Sequence, residues 1–202
     1  MEFLIRKEGI AYYGISFVLF IIFLFLFPFF SILFFVLMFF FLWFFRDPKR
    51  KIPDFGIVSP ADGKIIELEE RENEHFIAIF MSPLNVHINR APISGKITKV
   101  EYKKGKKYPA DKKEASSQNE SNTFFIENEK FSLKVKQIAG IIARRIVSFK
   151  KEGDFVKKGE KIGLIKFGSR VELFLPKNLK ILPKKGEKVY AGSTVIAEEK
   201  ET

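Results

Sequence analysis

Ser59-Pro60-Ala61-Asp62-Gly63-Lys64-Ile65 is a turn that runs straight into an apolar strand, and its outline returns as Pro92-Ile93-Ser94-Gly95-Lys96-Ile97. A second echo, Lys158-Gly159-Glu160-Lys161-Ile162 and Lys185-Gly186-Glu187-Lys188-Val189, lies further along the chain. Lys-Gly-Glu-Lys is also a favoured turn in any lysine-rich protein. Between and beyond the echoes, short apolar or alternating runs are separated by glycine, proline and lysine, which is an all-β pattern. It predicts strands over 63–68, 75–80, 95–102, 123–128, 131–139, 161–167 and 169–174. The polar stretch 109–122 reads as a loop and 141–149 is ambiguous between strand and short helix.

Two half-motifs, each a turn plus the strand that follows, predict a mainly β, barrel-sandwich domain of the lipoyl/biotinyl-carrier-like type over 46–202. Residues 1–45 are different. From Ile10 to Phe45 the chain carries no charge and is strongly apolar, well beyond the roughly 18 residues that suggest a membrane span. Pro28 stands near the centre of this run, and a proline inside a helix removes a hydrogen bond and clashes with the preceding turn. The expectation is therefore a transmembrane hairpin of two short helices, Ile10 to Phe27 and Phe29 to Phe45, with one kinked and tilted span as the competitor. Arg6 and Lys7 before the run, and Arg46, Lys49, Arg50 and Lys51 after it, draw both ends to the cytoplasmic side. The β domain is then expected on the cytoplasmic face of the cell membrane.

The whole chain carries a net charge of +11. The first 45 residues hold two basic and two acidic side chains, so this charge belongs to the β domain. A basic domain beside a membrane suits an anionic bilayer surface or a phosphate-bearing substrate. No nucleic-acid-binding signature accompanies the charge, and no nucleic-acid partner is expected. Cysteine is absent, which excludes disulfides and thiol chemistry. No clustering of His, Asp or Glu suggests a metal site.

The residues that could carry chemistry are few. Lys166-Phe167-Gly168-Ser169-Arg170 places a serine directly after a glycine in a strand-like stretch. Such a hydroxyl meets little steric hindrance in attacking the preceding carbonyl, and the resulting ester can eliminate to leave a pyruvoyl group; Gly-Ser is also an ordinary turn dipeptide. Only His75 and His87 are present, and histidine is the natural general base near neutral pH. His87 lies in the irregular segment Met81-Ser82-Pro83-Leu84-Asn85-Val86-His87-Ile88-Asn89-Arg90, whereas His75 opens an apolar strand and reads as structural. Asp62 lies in an Asp-Gly turn that would present a carboxylate on a defined backbone. A carboxylate, a histidine and a hydroxyl form the general arrangement of an activated nucleophile, and Asp62, His87 and Ser169 could form such a set.

Ser59 to Ile65, Val86-His87, Gln137-Ile138-Ala139-Gly140-Ile141-Ile142-Ala143-Arg144-Arg145-Ile146-Val147 and Phe167-Gly168-Ser169-Arg170, taken in this order, resemble the phosphatidylserine decarboxylase family, in its short membrane-anchored form. The resemblance covers nearly all of 46–202. It implies self-cleavage between Gly168 and Ser169, conversion of Ser169 into a covalent pyruvoyl cofactor, and activation of Ser169 by His87 and Asp62. The two fragments would stay together as a heterodimer, with a homo-oligomer left open. It also implies that the pyruvoyl carbonyl takes the amine of a membrane phospholipid's serine headgroup and that the product is an ethanolamine headgroup. Longer bacterial members carry a second histidine where this chain has Leu84, which leaves the proton donor for decarboxylation unassigned. Arg144 and Arg145 suit the lipid phosphate, or form a solvated basic face. The Asn119-Glu120-Ser121-Asn122 segment resembles a family segment near the site.

A membrane-anchored adaptor or carrier built on lipoyl-like halves is the reading from another class. Such adaptors insert a long helical hairpin between the halves, and here the intervening segment is short and polar without heptads.

Overall fold

The computed structural model describes residues 3–106, 108–140, 145–166 and 169–200. The chain divides into two compact units, Met1–Lys49 and Arg50–Thr202.

In the first unit, β1 (Phe3–Ile5), α1 (Ile10–Leu26), α2 (Pro28–Phe44) and β2 (Arg46–Pro48) follow one another. The helices break where proline dictates. Pro28 takes the first position of α2, where its missing N–H costs nothing, and Phe27 before it leaves helical geometry (φ −148°, ψ 79°). The helices run back along each other, with Tyr12 against Phe41 and Phe20 against Phe35 at ring distances of 5.3 and 5.4 Å. Antiparallel pairing of β1 with β2 closes the open end. Gly9 is required there, because a Cβ would lie 2.6 Å from the Phe45 ring. The helical segment Lys7–Leu26 is long and apolar enough to cross a membrane, and Pro28–Phe44 is apolar but shorter.

The second unit is mainly β. In chain order it contains β3 (Ile57–Val58), β4 (Gly63–Glu70), β5 (Glu74–Met81), β6 (Ile88–Arg90), β7 (Gly95–Lys103), α3 (Lys113–Gln118), β8 (Ser121–Glu127), β9 (Ser132–Ala139), β10 (Ile146–Ser148), β11 (Phe155–Val156), β12 (Lys161–Ile165), β13 (Ser169–Pro176), β14 (Leu179–Ile181), β15 (Lys188–Val189) and β16 (Val195–Glu199). All seven expected strands are present with ends displaced by a residue or two. The 109–122 stretch is not all loop: it contains α3 and the start of β8. Of the ambiguous 141–149 segment, 146–148 is strand, and 141–144 lie outside the described residues.

An eight-stranded antiparallel sheet, ordered β11-β7-β8-β9-β13-β5-β4-β15, is flanked by two three-stranded sheets, β10-β12-β6 and β14-β16-β3. Inward-facing Ile65, Ile79, Ile97, Phe124, Val135, Val171 and Leu173 fill the core between them. The order is that of two equivalent halves meeting between β9 and β13. In one half, Ile65 exchanges hydrogen bonds with Glu187 and Gly186; in the other, Ile97 does so with Asp154 and Gly153. Both glycines need positive φ (96° and 90°). A bulge follows Ile65 in β4 and Ile97 in β7.

The first sequence echo is therefore structural, but the second aligns wrongly. Gly186 has Gly153 as its counterpart, and Gly159 corresponds to Gly192: Gly159 N–H donates to Ala91 O and Gly192 N–H to Ser59 O, both at 2.8 Å. The barrel-sandwich expectation is met only in part, since among the described residues the sheets stay open, with β11 and β15 each paired on one side.

Candidate active site

Ser169 is fully buried at the first position of β13, opposite Met81 on β5 and Ala139 on β9. Strand β12 ends at Ile165 in a flanking sheet and β13 begins at Ser169 in the centre of the large one, so the chain crosses between sheets between these two residues. Gly168 and Phe167 of this crossing lie outside the described residues. The Ser169 hydroxyl donates to Met81 Sδ at 3.2 Å. A thioether is a weak acceptor, so the hydroxyl is held in place without being tied up.

His87 is buried at the entry to β6, and its carbonyl accepts from Ile165 N–H at 3.3 Å, the last residue before the crossing. Its Nδ1 lies 2.9 Å from Asn85 O. A carbonyl only accepts, so Nδ1 carries the hydrogen and Nε2 of the neutral ring carries the lone pair. That tautomer leaves Nε2 as the basic nitrogen.

Asp62 is buried and accepts from Arg50 Nη2 through both oxygens, at 2.9 and 2.8 Å, and from Ala191 N–H at 2.8 Å. Its carboxylate is thus committed to Arg50 and the backbone, while Asn85 O holds the His87 ring. Asp62 also has a plain structural counterpart: Ser94, in the same turn of the other half, accepts from Lys158 N–H at 2.9 Å. Of the arginines read as phosphate ligands, Arg145 is exposed and its carbonyl accepts from Lys166 N–H at 3.2 Å, beside the crossing. Arg144 lies outside the described residues. His75 is structural as expected, its Nε2 lying 3.1 Å from Leu179 O.

Sequence reading missed an amide chain beside Ser169. Asn122 Nδ2 donates to Gln137 Oε1 at 3.2 Å, and Gln137 Nε2 donates to Asn89 Oδ1 at 2.7 Å. Asn89 Nδ2 then lies 3.7 Å from the same Met81 Sδ that Ser169 contacts. All three amides are buried. Asn89 stands in the His87 segment and Gln137 heads the Gln137-Ile138-Ala139-Gly140 run, but nothing in the sequence shows that the fold joins them.

On the opposite face of β13, buried Arg170 pairs with Glu67 at 3.0 Å and Glu172 at 2.9 Å, fixing the residue after Ser169. Ser116 of α3 donates to Glu172 at 3.0 Å and Lys136 Nζ donates to Ser116 O at 2.6 Å, which fastens α3 over this face. Burial holds the Lys136 ammonium below its ordinary range, with Glu172 opposing the effect.

A family model described as phosphatidylserine decarboxylase matches residues 37–197. A phosphatidylserine decarboxylase proenzyme from Carboxydothermus hydrogenoformans is 46% identical over 162 residues, covering 75% of this chain and 76% of its own length. The corresponding proenzyme from Syntrophus aciditrophicus is 45% identical over 162 residues, with 75% and 76% covered. A protein of Methanosarcina mazei, provisionally named an archaetidylserine decarboxylase proenzyme, is 50% identical over 155 residues, covering 76% and 72%. No solved structure matches the chain. With the match running through both halves of the β domain and across the β12–β13 crossing, the chain belongs to the phosphatidylserine decarboxylase family.

Proposed function

We propose that this protein removes the carboxyl group from the serine headgroup of a membrane phospholipid, releasing carbon dioxide and leaving an ethanolamine headgroup, after cutting itself between Gly168 and Ser169. Family membership supports the reaction, and the observation that carries the self-cleavage is the burial of a lightly held Ser169 hydroxyl at the crossing where His87 is fastened.

His87 Nε2, basic because Nδ1–H is given to Asn85 O, takes the Ser169 hydroxyl proton. Ser169 Oγ adds to the Gly168 carbonyl carbon and the peptide bond becomes an ester. Loss of the Ser169 Cα proton expels Gly168 as a carboxylate that keeps Oγ, and water converts the remaining dehydroalanine to a ketone with release of ammonia. The residues around Ser169 fit such a group, being buried and held on both sides by β5 and β9. The pyruvoyl group so formed supplies an electrophilic carbonyl that binds the headgroup amine and accepts the electron pair left by the departing carboxyl.

Asp62, bonded to Arg50, is assigned with His87 to the activation of Ser169, and Arg144 and Arg145 are assigned to the lipid phosphate. The new N-terminus stays where Ser169 was, because Ser169–Pro176 pairs along its length with β5 and Ser169–Phe174 with β9, so the fragments remain one body. The apolar helix pair anchors the protein as a transmembrane hairpin, and its basic flanks keep the β domain on the cytoplasmic side.

A denaturing gel with intact masses tests this reading. The native chain is expected as two fragments, Ser169→Ala as a single inactive chain, and His87→Ala as largely uncut. A native protein found only as an intact 23.4 kDa chain with an ordinary Ser169 would sink it.

A further inference from the structure

The two halves of the β domain supply an internal control for every buried side chain. Asn89 on β6 pairs with Gly163 on β12, and at the matching place of the other half Ile57 on β3 pairs with Ala197 on β16. Gln137 lies opposite Asn122, which lies opposite Tyr102; its counterpart Leu175 lies opposite His75, which lies opposite Glu70. Ile57 and Leu175 belong to the hydrophobic core. The fold therefore accepts an apolar pair where it instead holds Asn89 and Gln137, and it holds the amides only at the end where Asn89 shares Met81 Sδ with Ser169. Burying amides in place of hydrocarbon is unfavourable unless they are well bonded.

Asn89 is not well bonded. Its oxygen is fixed by Gln137, which turns its NH2 toward Met81 Sδ at 3.7 Å and Pro60 O at 3.5 Å. The first acceptor is weak and the second lies at the limit of hydrogen bonding. All the donors of the Asn122–Gln137–Asn89 chain run one way, so this NH2 is its end, aimed at the sulfur that Ser169 Oγ also touches. Gly163 makes room for the arrangement, since a Cβ there would lie 2.7 Å from Gln137 Nε2.

We propose that the Asn89 amide donates to the carboxylate of the substrate's serine headgroup, with Gln137 and Asn122 as positioning residues that keep its NH2 turned to the site. This rests on the decarboxylase reading. The carboxylate is the one group that substrate has and product lacks, and a neutral donor suits it better than a cation: an amide binds the anion without resisting its conversion to neutral carbon dioxide.

The test compares KM for a serine phospholipid with the inhibition constant of the ethanolamine phospholipid, both in the same detergent micelles. Asn89→Asp keeps the size and the acceptor for Gln137 but replaces the donors by a carboxylate. It is expected to self-cleave and to raise KM about ten- to hundredfold, the range a hydrogen bond to a charged group supplies, with the product's inhibition constant within about twofold of native. The double variant Asn89→Ile/Gln137→Leu, which copies the other half, should fold and show the same selective rise. An unchanged KM, equal shifts in KM and inhibition constant, or failure of both variants to self-cleave would overturn the proposal. An uncut and inactive native chain would instead sink the decarboxylase reading, and the proposal with it.

Discussion

Replacing Asp62 by Asn would leave the Arg50 guanidinium, whose side chain is only 11% exposed, without its counter-charge. Breaking a buried pair from one side costs about 3–5 kcal/mol, whereas replacing both partners by apolar groups is often neutral. The single variants Asp62→Asn and Arg50→Met should therefore both lower the unfolding midpoint, and the double variant Arg50→Met/Asp62→Leu should recover most of the loss. Self-cleavage separates structure from chemistry: if Asp62 serves only its turn, the double variant will cut as the native chain does, and if it supports His87 the double variant will be stable and slow. Arg50 was hidden from sequence reading in a run of basic linker residues, because only the fold shows which of them faces Asp62. Ser169, His87 and Asp62 stand out in the sequence because their chemistry is rare or their setting irregular; the fold buries all three and bonds Asp62 to Arg50. Asn89 and Gln137 do not stand out, since an amide inside a strand acquires meaning only from the strand beside it.

Elements were legible where period-two alternation and turn glycines agree, as in 63–68 and 95–102, and illegible where tertiary contacts decide. Helix α3 forms from Lys113-Glu114-Ala115-Ser116-Ser117-Gln118, a sequence too short and polar to hold a helix alone. It is fixed instead by Ser116 on Glu172 and by buried Asn119, which bonds both Tyr108 and Ala139 O. The turn before β12 is tied by charge. Glu160 accepts from the Lys150 ammonium and from Lys157 N–H at 2.8 Å, and these hold its carboxyl below the usual range, the Lys150 bond contributing most. A depressed folded-state pKa gives stability that is present above the unfolded value of 4.5 and lost as pH falls through the folded one. The pair is partly exposed, so Glu160→Gln should cost less than about 1 kcal/mol at pH 7. In denaturant titrations the gap between variant and native should close below pH 4.5; a gap of constant size down to pH 3 would assign the effect to packing.

At the scale of the molecule, two equivalent halves share the architecture, with Ser169 on β13 in one and His87, at the entry to β6, in the other. The halves were legible in Pro60 to Ile65 and Pro92 to Ile97, while the Lys-Gly-Glu-Lys echo misled because a common turn sequence recurred at non-equivalent places. The true counterparts, Lys151 to Val156 and Lys184 to Val189, each keep a glycine of positive φ followed by an acidic residue that accepts from the leading lysine N–H, at 2.9 and 3.1 Å. The place matching the candidate site is a cavity of about 500 Å³ lined by Phe55, Ile57, Ser94, Asn128, Phe131 and Lys158, among others. There Lys158 Nζ donates to the carbonyls of Asp54, Phe55 and Gly56 at 2.9–3.2 Å, closing the chain's entry to β3. Burial holds this ammonium below its ordinary range, with Asp54 opposing the effect. Lys158→Met would remove the shared donor from three partly exposed carbonyls at a cost of about 0.5–1.5 kcal/mol, roughly 1–6 °C in Tm for a domain of this size. Because this cavity is lined by neither Ser169 nor His87, fragment yield and specific activity should stay at native levels while Tm falls. A loss of cleavage at unchanged Tm would mean that this second place takes part in the chemistry, and that its likeness to the candidate site is functional as well as architectural.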